Sequence, residues 1–345
     1  MRGDTFVVET NIHYPTESSL IGDGLRKVVR LAAELAADNG LAGWRQHEHL
    51  LKNAREVVRE IGRASRAKGQ GADRLKPGYK QLLELAKDVL ERACLLLQAL
   101  AFSVKIAILP AEEVKDAPAP ATPEALLMHY VTLTEKVCDN ARRRVLQGET
   151  LANEEKIFSI FEPHTELIKR GKQPNPIQFG HNVLVVEDAV GFAVEYRVVA
   201  DGVLDQDLVI PVMKELQKRF DGKIESASFD RAFHTPANQK KLAEIVATPC
   251  IASKGQEKGR RQQREGTVAF RQARQHHPGV ESAIGALQAG NGLKRCRDRS
   301  RRGYQRYVGL GVLGRNLHVL GKLLLAQDVE DCQAARSKRK KRKAG

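Results

Sequence analysis

Glu281 opens an apolar helical pattern, Gly279-Val280-Glu281-Ser282-Ala283-Ile284, inside a strongly basic region. Arg271, Arg274, His276 and His277 precede it, and Lys294, Arg295, Arg297, Arg299, Arg301, Arg302 and Arg306 follow. A carboxylate in such company has two chemistries open to it. It can be a surface ion-pair partner, or it can ligate a divalent cation where a phosphate backbone arrives. The second needs further acids, because two-metal phosphoryl transfer holds two ions ~3.5–4 Å apart between shared carboxylates. Hard cations prefer oxygen ligands, so Asp and Glu suffice without cysteine. Asp4 and Asp230 are the two acids that decide between the readings.

The elements that must position these residues are readable from periodicity. Residues 5–12 are short and β-branched and read as a first strand, with Asp4 at its edge. From about Leu20 to Gln147 the period is helical, with stripes such as Leu25, Val28, Val29, Ala32, Leu35 and Leu82, Leu83, Ala86, Val89, Leu90. Pro110, Pro118, Pro120 and Pro123 mark a linker, and Thr122-Pro123-Glu124 reads as the start of a further helix. Strands follow at Asn182–Glu187 and Phe192–Ala200, joined by a turn at Asp188–Gly191. A helix over 207–220, capped by Asp205 or Asp207, precedes a strand over Lys223–Phe229 that runs into Asp230. Thr235-Pro236 starts a helix, Thr248–Ala252 a brief strand, Val280–Gln288 the helix of Glu281, and Tyr307–Ala326 the last periodic segment. This order predicts an α/β fold, a mixed sheet flanked by helices with a large all-helical insertion after the first strand. In open sheets, ligands gather where neighbouring strands end, which suits Asp230. The domain boundaries read as 1–19 for the first strand, 20–150 for the insertion, 151–330 for the rest of the sheet and 331–345 for a disordered basic tail.

Bulk properties narrow the partner. The 345 residues carry 57 Lys and Arg against 42 Asp and Glu, a formal charge of +15, so the partner is a polyanion, nucleic acid first. An anionic membrane fares worse, since no uninterrupted apolar run reaches the ~20 residues of a spanning helix; residues 93–109 come closest. The five cysteines are scattered and never in a C-x-x-C pair, which speaks against a disulfide framework or zinc site and for a reducing cytosol.

Three segments together resemble a known family. Asp4-Thr5 followed by Val7-Val8-Glu9-Thr10-Asn11-Ile12-His13-Tyr14-Pro15-Thr16 resembles the first catalytic segment of bacterial insertion-sequence transposases of the DDE class, the ISNCY type most closely. Ser228-Phe229-Asp230-Arg231-Ala232-Phe233-His234-Thr235-Pro236 resembles the second, and His277-Pro278-Gly279-Val280-Glu281-Ser282-Ala283-Ile284, with Gly292-Leu293-Lys294-Arg295-Cys296, the third. Arg302-Gly303-Tyr304, Arg306-Tyr307-Val308 and Ile168-Lys169-Arg170-Gly171-Lys172 extend the likeness over nearly the whole chain apart from the tail. It implies a ribonuclease H-like fold, a catalytic and metal-binding triad of Asp4, Asp230 and Glu281, two Mg2+ or Mn2+ ions, and cutting and joining of double-stranded DNA. It further implies a homodimer on DNA and a bacterial cytoplasmic, nucleoid-associated location. The chain departs from the family where Asp-Arg-Gly reads Asp230-Arg231-Ala232, and where only three residues precede Asp4. Relatives carry a longer N-terminal segment, so the expectation is a truncated copy.

The remaining cations and acids divide by role. Arg231 directly follows an expected metal ligand and is placed on phosphate. Lys254, Arg260 and Arg261 fall in a Gly- and Gln-rich stretch read as a mobile basic loop; with Lys294, Arg295, Arg301 and Arg302 they form the expected DNA-backbone contacts, which are sequence-blind and salt-sensitive. His277 touches a phosphate or orients Glu281, against a solvated alternative; His234 and His276 read as solvated and Trp44 as packing. Glu9, Asp188 and Asp201 are competing acids. Two alternatives to a transposase stay open: a ribonuclease H-like nuclease without joining activity, and a catalytically inactive DNA-binding remnant.

Overall fold

The computed structural model describes residues 1–66, 72–100, 120–169, 176–253 and 258–344, without the side chains of 72, 258, 260–262 and 336–344. Lys254, the side chains of Arg260 and Arg261, residues 170–172 and most of the expected linker therefore lie outside the described residues. The chain divides into two compact units: unit 1 is Met1–Asn11, Ile168–Asp298 and Arg302–Gly345, and unit 2 is Ile12–Leu167 with Arg299–Arg301.

Unit 2 is helical among its described residues apart from the first residues of a strand continuing into unit 1, as the 3.6-residue period predicts. Helices α1 (Glu17–Asp38), α2 (His47–Arg66), α3 (Lys76–Ala99) and α4 (Pro123–Ala141) face their apolar stripes onto one core, in which Val28, Ala32, Leu82, Ala86, Leu97 and Leu127 are wholly buried. The caps explain where the helices start. Thr16 Oγ1 accepts from Ser19 N at 3.2 Å while Thr16 N donates to Ser19 Oγ at 3.0 Å, and Thr122 Oγ1 accepts from Ala125 N at 3.2 Å. At Gly24 α1 runs so close to α4 that a Cβ would strike the Thr134 side chain.

Unit 1 is built on a six-stranded mixed sheet of β1 (Arg2–Glu9), β2 (Glu166–Lys169, which begins in unit 2), β3 (Ile177–Glu187), β4 (Ala193–Val198), β5 (Ser226–Phe229) and β6 (Thr248–Ile251). The order is β2-β3-β1-β5-β6, with β4 also on β3. β1 is antiparallel to β3 from Arg2↔Glu187 to Glu9↔Gly180, and parallel to β5 through Arg2↔Ser228 and Gly3↔Phe229. β3 and β4 are antiparallel, and β5 and β6 parallel. The turn between β3 and β4 is fixed by Asp188 Oδ1, which accepts from the backbone N–H of Val190, Gly191 and Phe192 at 2.8–2.9 Å.

Because side chains alternate along a strand, the sheet separates two cores. On one face Leu184, Val186, Ala227 and Phe229 pack with α5 (Asp205–Arg219) and α6 (Pro236–Ala243) through Val209, Val212, Met213, Leu216 and Leu242. On the other, Phe6, Val8, Val183 and Val185 pack with α9 (Gly279–Ala289) and the start of α10 (Ser300–Ala344) through Val280, Leu287, Tyr304 and Val308. Helices α7 (Lys258–Glu265) and α8 (Val268–His276) lie between β6 and α9 in the chain.

Several expectations are corrected. The first strand is Arg2–Glu9, not 5–12, because pairing with both β3 and β5 recruits the polar start of the chain and puts Asp4 inside the strand. The N-cap of α5 is Leu204, with Asp207 one turn in, accepting from Leu204 N at 3.2 Å. The expected basic loop is helical from Lys258 on, since its Arg, Gln, Lys and Glu are good helix formers even without an apolar stripe. Where a disordered tail was expected, the backbone of α10 continues to Ala344, through residues of the same propensity. Against the exclusion of any spanning-length apolar run, α10 contains an 18-residue window of mean hydropathy 1.2, long and apolar enough by length and composition to cross a membrane.

Candidate active site

Asp4 and Asp230 meet through strand register. Gly3 is paired with Phe229 on the parallel strand, so the next step along each chain carries Asp4 and Asp230 side by side, at the ~4.8 Å spacing of neighbouring strands. Asp4 lies on the Arg2, Phe6, Val8 face of β1, where Phe6 and Val8 enter the core beneath α9. Its carboxylate is half-buried and accepts from Thr5 N at 2.7 Å. Asp230 ends β5 in extended conformation (φ −69°, ψ 168°) and its carbonyl begins a 3-10 turn over Arg231–Phe233, accepting from Phe233 N at 3.1 Å. Its side chain makes no capping bond to that turn.

The segment leading into α9, which carries Glu281 in its first turn, meets the same end of β1 by way of Arg2. The Arg2 guanidinium donates to Glu187 Oε2 from Nε at 2.8 Å and to the His276 carbonyl from Nη1 at 3.0 Å. It fills the space against Gly279, where any Cβ would collide with it. A Cβ at Gly279 would push this flexible guanidinium aside, and the contact seats the first turn of α9 against Arg2 of β1. Val280 turns into the core with Phe6, which leaves the adjacent Glu281 exposed on the first turn.

His277 joins the pieces. It is 5% exposed, and its Nδ1 is 3.0 Å from Ser228 Oγ on β5. Burial holds its pKa below the ordinary imidazole value, Arg274 pushes the same way, and the carboxylates of Asp230 and Glu281 both push back ahead of a smaller effect of Arg2. One imidazole therefore feels two of the three acids. As a donor set, three carboxylates suit a hard divalent ion. Among the described residues, no three His, Cys, Asp or Glu side chains stand gathered as a ready-made cation site.

The other expected contacts scatter. Arg231 is exposed beside Asp230. Lys294 and Arg295 instead lie at the far end of β1: Glu9 N donates to the Lys294 carbonyl at 3.2 Å, and Arg295 pairs with Glu9 at 3.0 Å. Five residues of strand separate Glu9 from Asp4, about 16 Å. Arg301 and Arg302 sit in the first turn of α10, on either side of the boundary between the units. His277 is buried rather than presented at a surface, so of its two expected roles the structure favours orienting neighbours over touching phosphate. Sequence reasoning missed Arg2 and Ser228; each matters through a residue more than 45 positions away, and no local pattern signals that. No family model, curated protein or solved structure matches the chain.

Proposed function

We propose that this chain carries the catalytic domain of a DDE-class transposase, with Asp4, Asp230 and Glu281 as its triad. The observation that carries the reading is the pairing of β1 with β5, whose Gly3↔Phe229 rung is followed on the two strands by Asp4 and Asp230 side by side, while α9, with the motif glutamate in its first turn, packs on β1 through Val280. The strand sequence β4-β3-β1-β5-β6, antiparallel on one side of β1 and parallel on the other, supports a ribonuclease H-like fold interrupted by a helical insertion.

In that reading water attacks a DNA phosphorus in line, the P–O3′ bond breaks, and the leaving oxygen becomes a free 3′-hydroxyl. That hydroxyl then attacks a phosphodiester of target DNA and releases another 3′-oxygen. Two Mg2+ or Mn2+ ions, when bound, supply Lewis acidity at the phosphate. Asp4, Asp230 and Glu281 would hold them. The contact of Ser228 with His277 ties the end of β5 to the segment leading into α9, and in this reading it serves to hold Asp230 and Glu281 within reach of the same ions. Arg231 lies exposed for the phosphate backbone. Double-stranded DNA is the partner, and a homodimer on DNA follows from the resemblance.

The test is cleavage and joining of labelled duplexes by the full chain with and without Mg2+ or Mn2+. Nicking that requires the ion and disappears in Asp230→Asn supports the reading, and joined products separate a transposase from a nuclease. DNA binding with no nicking at any ion concentration would replace it with an inactive DNA-binding remnant.

A further inference from the structure

The side of α10 that unit 1 leaves uncovered carries leucine at coiled-coil spacing. Leu310, Leu313, Leu317, Leu320 and Leu324 follow one another at intervals of three and four, and are 59%, 54%, 58%, 44% and 53% exposed. At 3.6 residues per turn they form one stripe, on the opposite side of the helix from the buried Tyr304, Val308, Val312 and Val319. Every residue from 322 to 335 is exposed, so the helix runs on without support. A lone helix bearing an apolar stripe is marginal in water and gains most of its stability by burying that stripe.

We propose that α10 is a self-association helix, through which two copies of this chain pair antiparallel with Leu317 opposite the partner's Leu320. Charge selects the second copy and its direction. The same heptad repeat continues to Arg306 on one side and to Gln327 and Asp331 on the other. Parallel pairing would set Arg306, which its own Asp298 already engages on one side, against Arg306, and Asp331 against Asp331. Antiparallel pairing about Leu317 and Leu320 sets Asp331 opposite the partner's Arg306 and makes the central layers leucine on leucine. A membrane is the poorer occupant. One side of the first half of α10 is packed into the protein core through Tyr304, Val308 and Val312, and the sixteen residues from Leu320 to Ala335 include Lys322, Asp328, Glu330 and Asp331. That falls short of the ~20 apolar residues needed to span. The association needs neither DNA nor metal, so it stands apart from the transposase reading.

Sedimentation equilibrium of the full chain, without DNA or divalent ions, tests it. The expected result is a reversible dimer whose dissociation constant rises about a hundredfold or more in the double variant Leu317→Glu/Leu320→Glu, because four carboxylates would enter the seam. Both side chains are largely exposed, so the circular dichroism and thermal midpoint of the monomer should not change. A nitroxide at Gln327→Cys in a Cys332→Ser background reads the direction: antiparallel pairing places the two labels about 25 Å apart along the axis, and parallel pairing brings them side by side. A wild-type chain that stays monomeric overturns the proposal, whether or not it binds phosphatidylglycerol vesicles. A dimer that survives the double variant, or labels found side by side, overturns it too.

Discussion

The two units spend their charged residues differently. In unit 2 several ion pairs join residues three apart, Asp23 with Arg26 at 2.7 Å, Asp73 with Lys76 at 2.6 Å and Asp139 with Arg142 at 3.4 Å, beside a longer-range pair of Arg144 with Glu17. Exposed pairs of this kind contribute ~0.2–1 kcal/mol and leave the core to hold the unit. In unit 1 the charges reach across the fold. Arg2 pairs with Glu187, 185 residues away, and Glu9 pairs with Arg295, 286 residues away. The acids of unit 1 are held by strand register, so moving one changes what the others face. A unit stabilised by local pairs tolerates losing any of them; in the proposed transposase reading, the acids of unit 1 are placed for chemistry instead.

The strongest way to break this contrast is Asp230→Asn. If Asp230 is placed for chemistry, the variant keeps its thermal midpoint and loses several kcal/mol of transition-state stabilisation, on the order of 10³-fold in metal-dependent cleavage. An unfolded variant would make Asp230 a structural residue and dissolve the contrast. The mirror experiment is Leu127→Ala, a wholly buried side chain of unit 2. It should cost about 2–5 kcal/mol in denaturant unfolding, because the lost burial and the cavity add. The acids of unit 1 should keep whatever cleavage the wild type has while unit 2 remains folded. Gly180→Ala comes next. A Cβ there would strike the backbone of Val8 and Glu9, which cannot rotate away, so β1 and β3 must part locally at a cost of about 1–3 kcal/mol. Urea midpoints should show it, and a neutral result would mean the β1–β3 register is looser than the antiparallel ladder implies.

Legibility from sequence followed the same division. The helices of unit 2 were readable because each stripe repeats inside a single segment, as in Leu82, Leu83, Ala86, Val89 and Leu90 of α3. Thr122-Pro123 likewise marks its helix start without outside help. β5, β6 and the Asp188–Gly191 turn were placed to within a few residues for the same reason. β1 was misplaced because Arg2, Gly3 and Asp4 have no strand signature of their own and are strand only by pairing. The three acids were proposed from motifs; the Gly3↔Phe229 rung beside Asp4 and Asp230, and the Arg2–Gly279 contact before Glu281, leave no mark in the local sequence. α7 and α8 escaped notice because, among the described residues, Phe270 alone gives them a buried apolar anchor.

Two histidines, His277 buried and His129 half-buried, offer the finest comparison between the units. His129 in unit 2 has its pKa lowered by burial alone, whereas His277 in unit 1 is lowered by burial and Arg274 and partly restored by Asp230 and Glu281. Both bind a proton less readily folded than unfolded, so both contribute stability that is present above the ordinary value of 6.5 and is lost as pH falls through it. The slope for each is at most about 1.4 kcal/mol per pH unit. Asp230→Asn separates them. Removing that carboxylate takes away a charge that favours the imidazolium of His277, so its pKa should fall further while that of His129 stays where it is. Titration of the imidazole C–H resonances reads both in one experiment. If the two histidines respond alike, the field of Asp230 does not reach His277, and the proposed triad loses its electrostatic support.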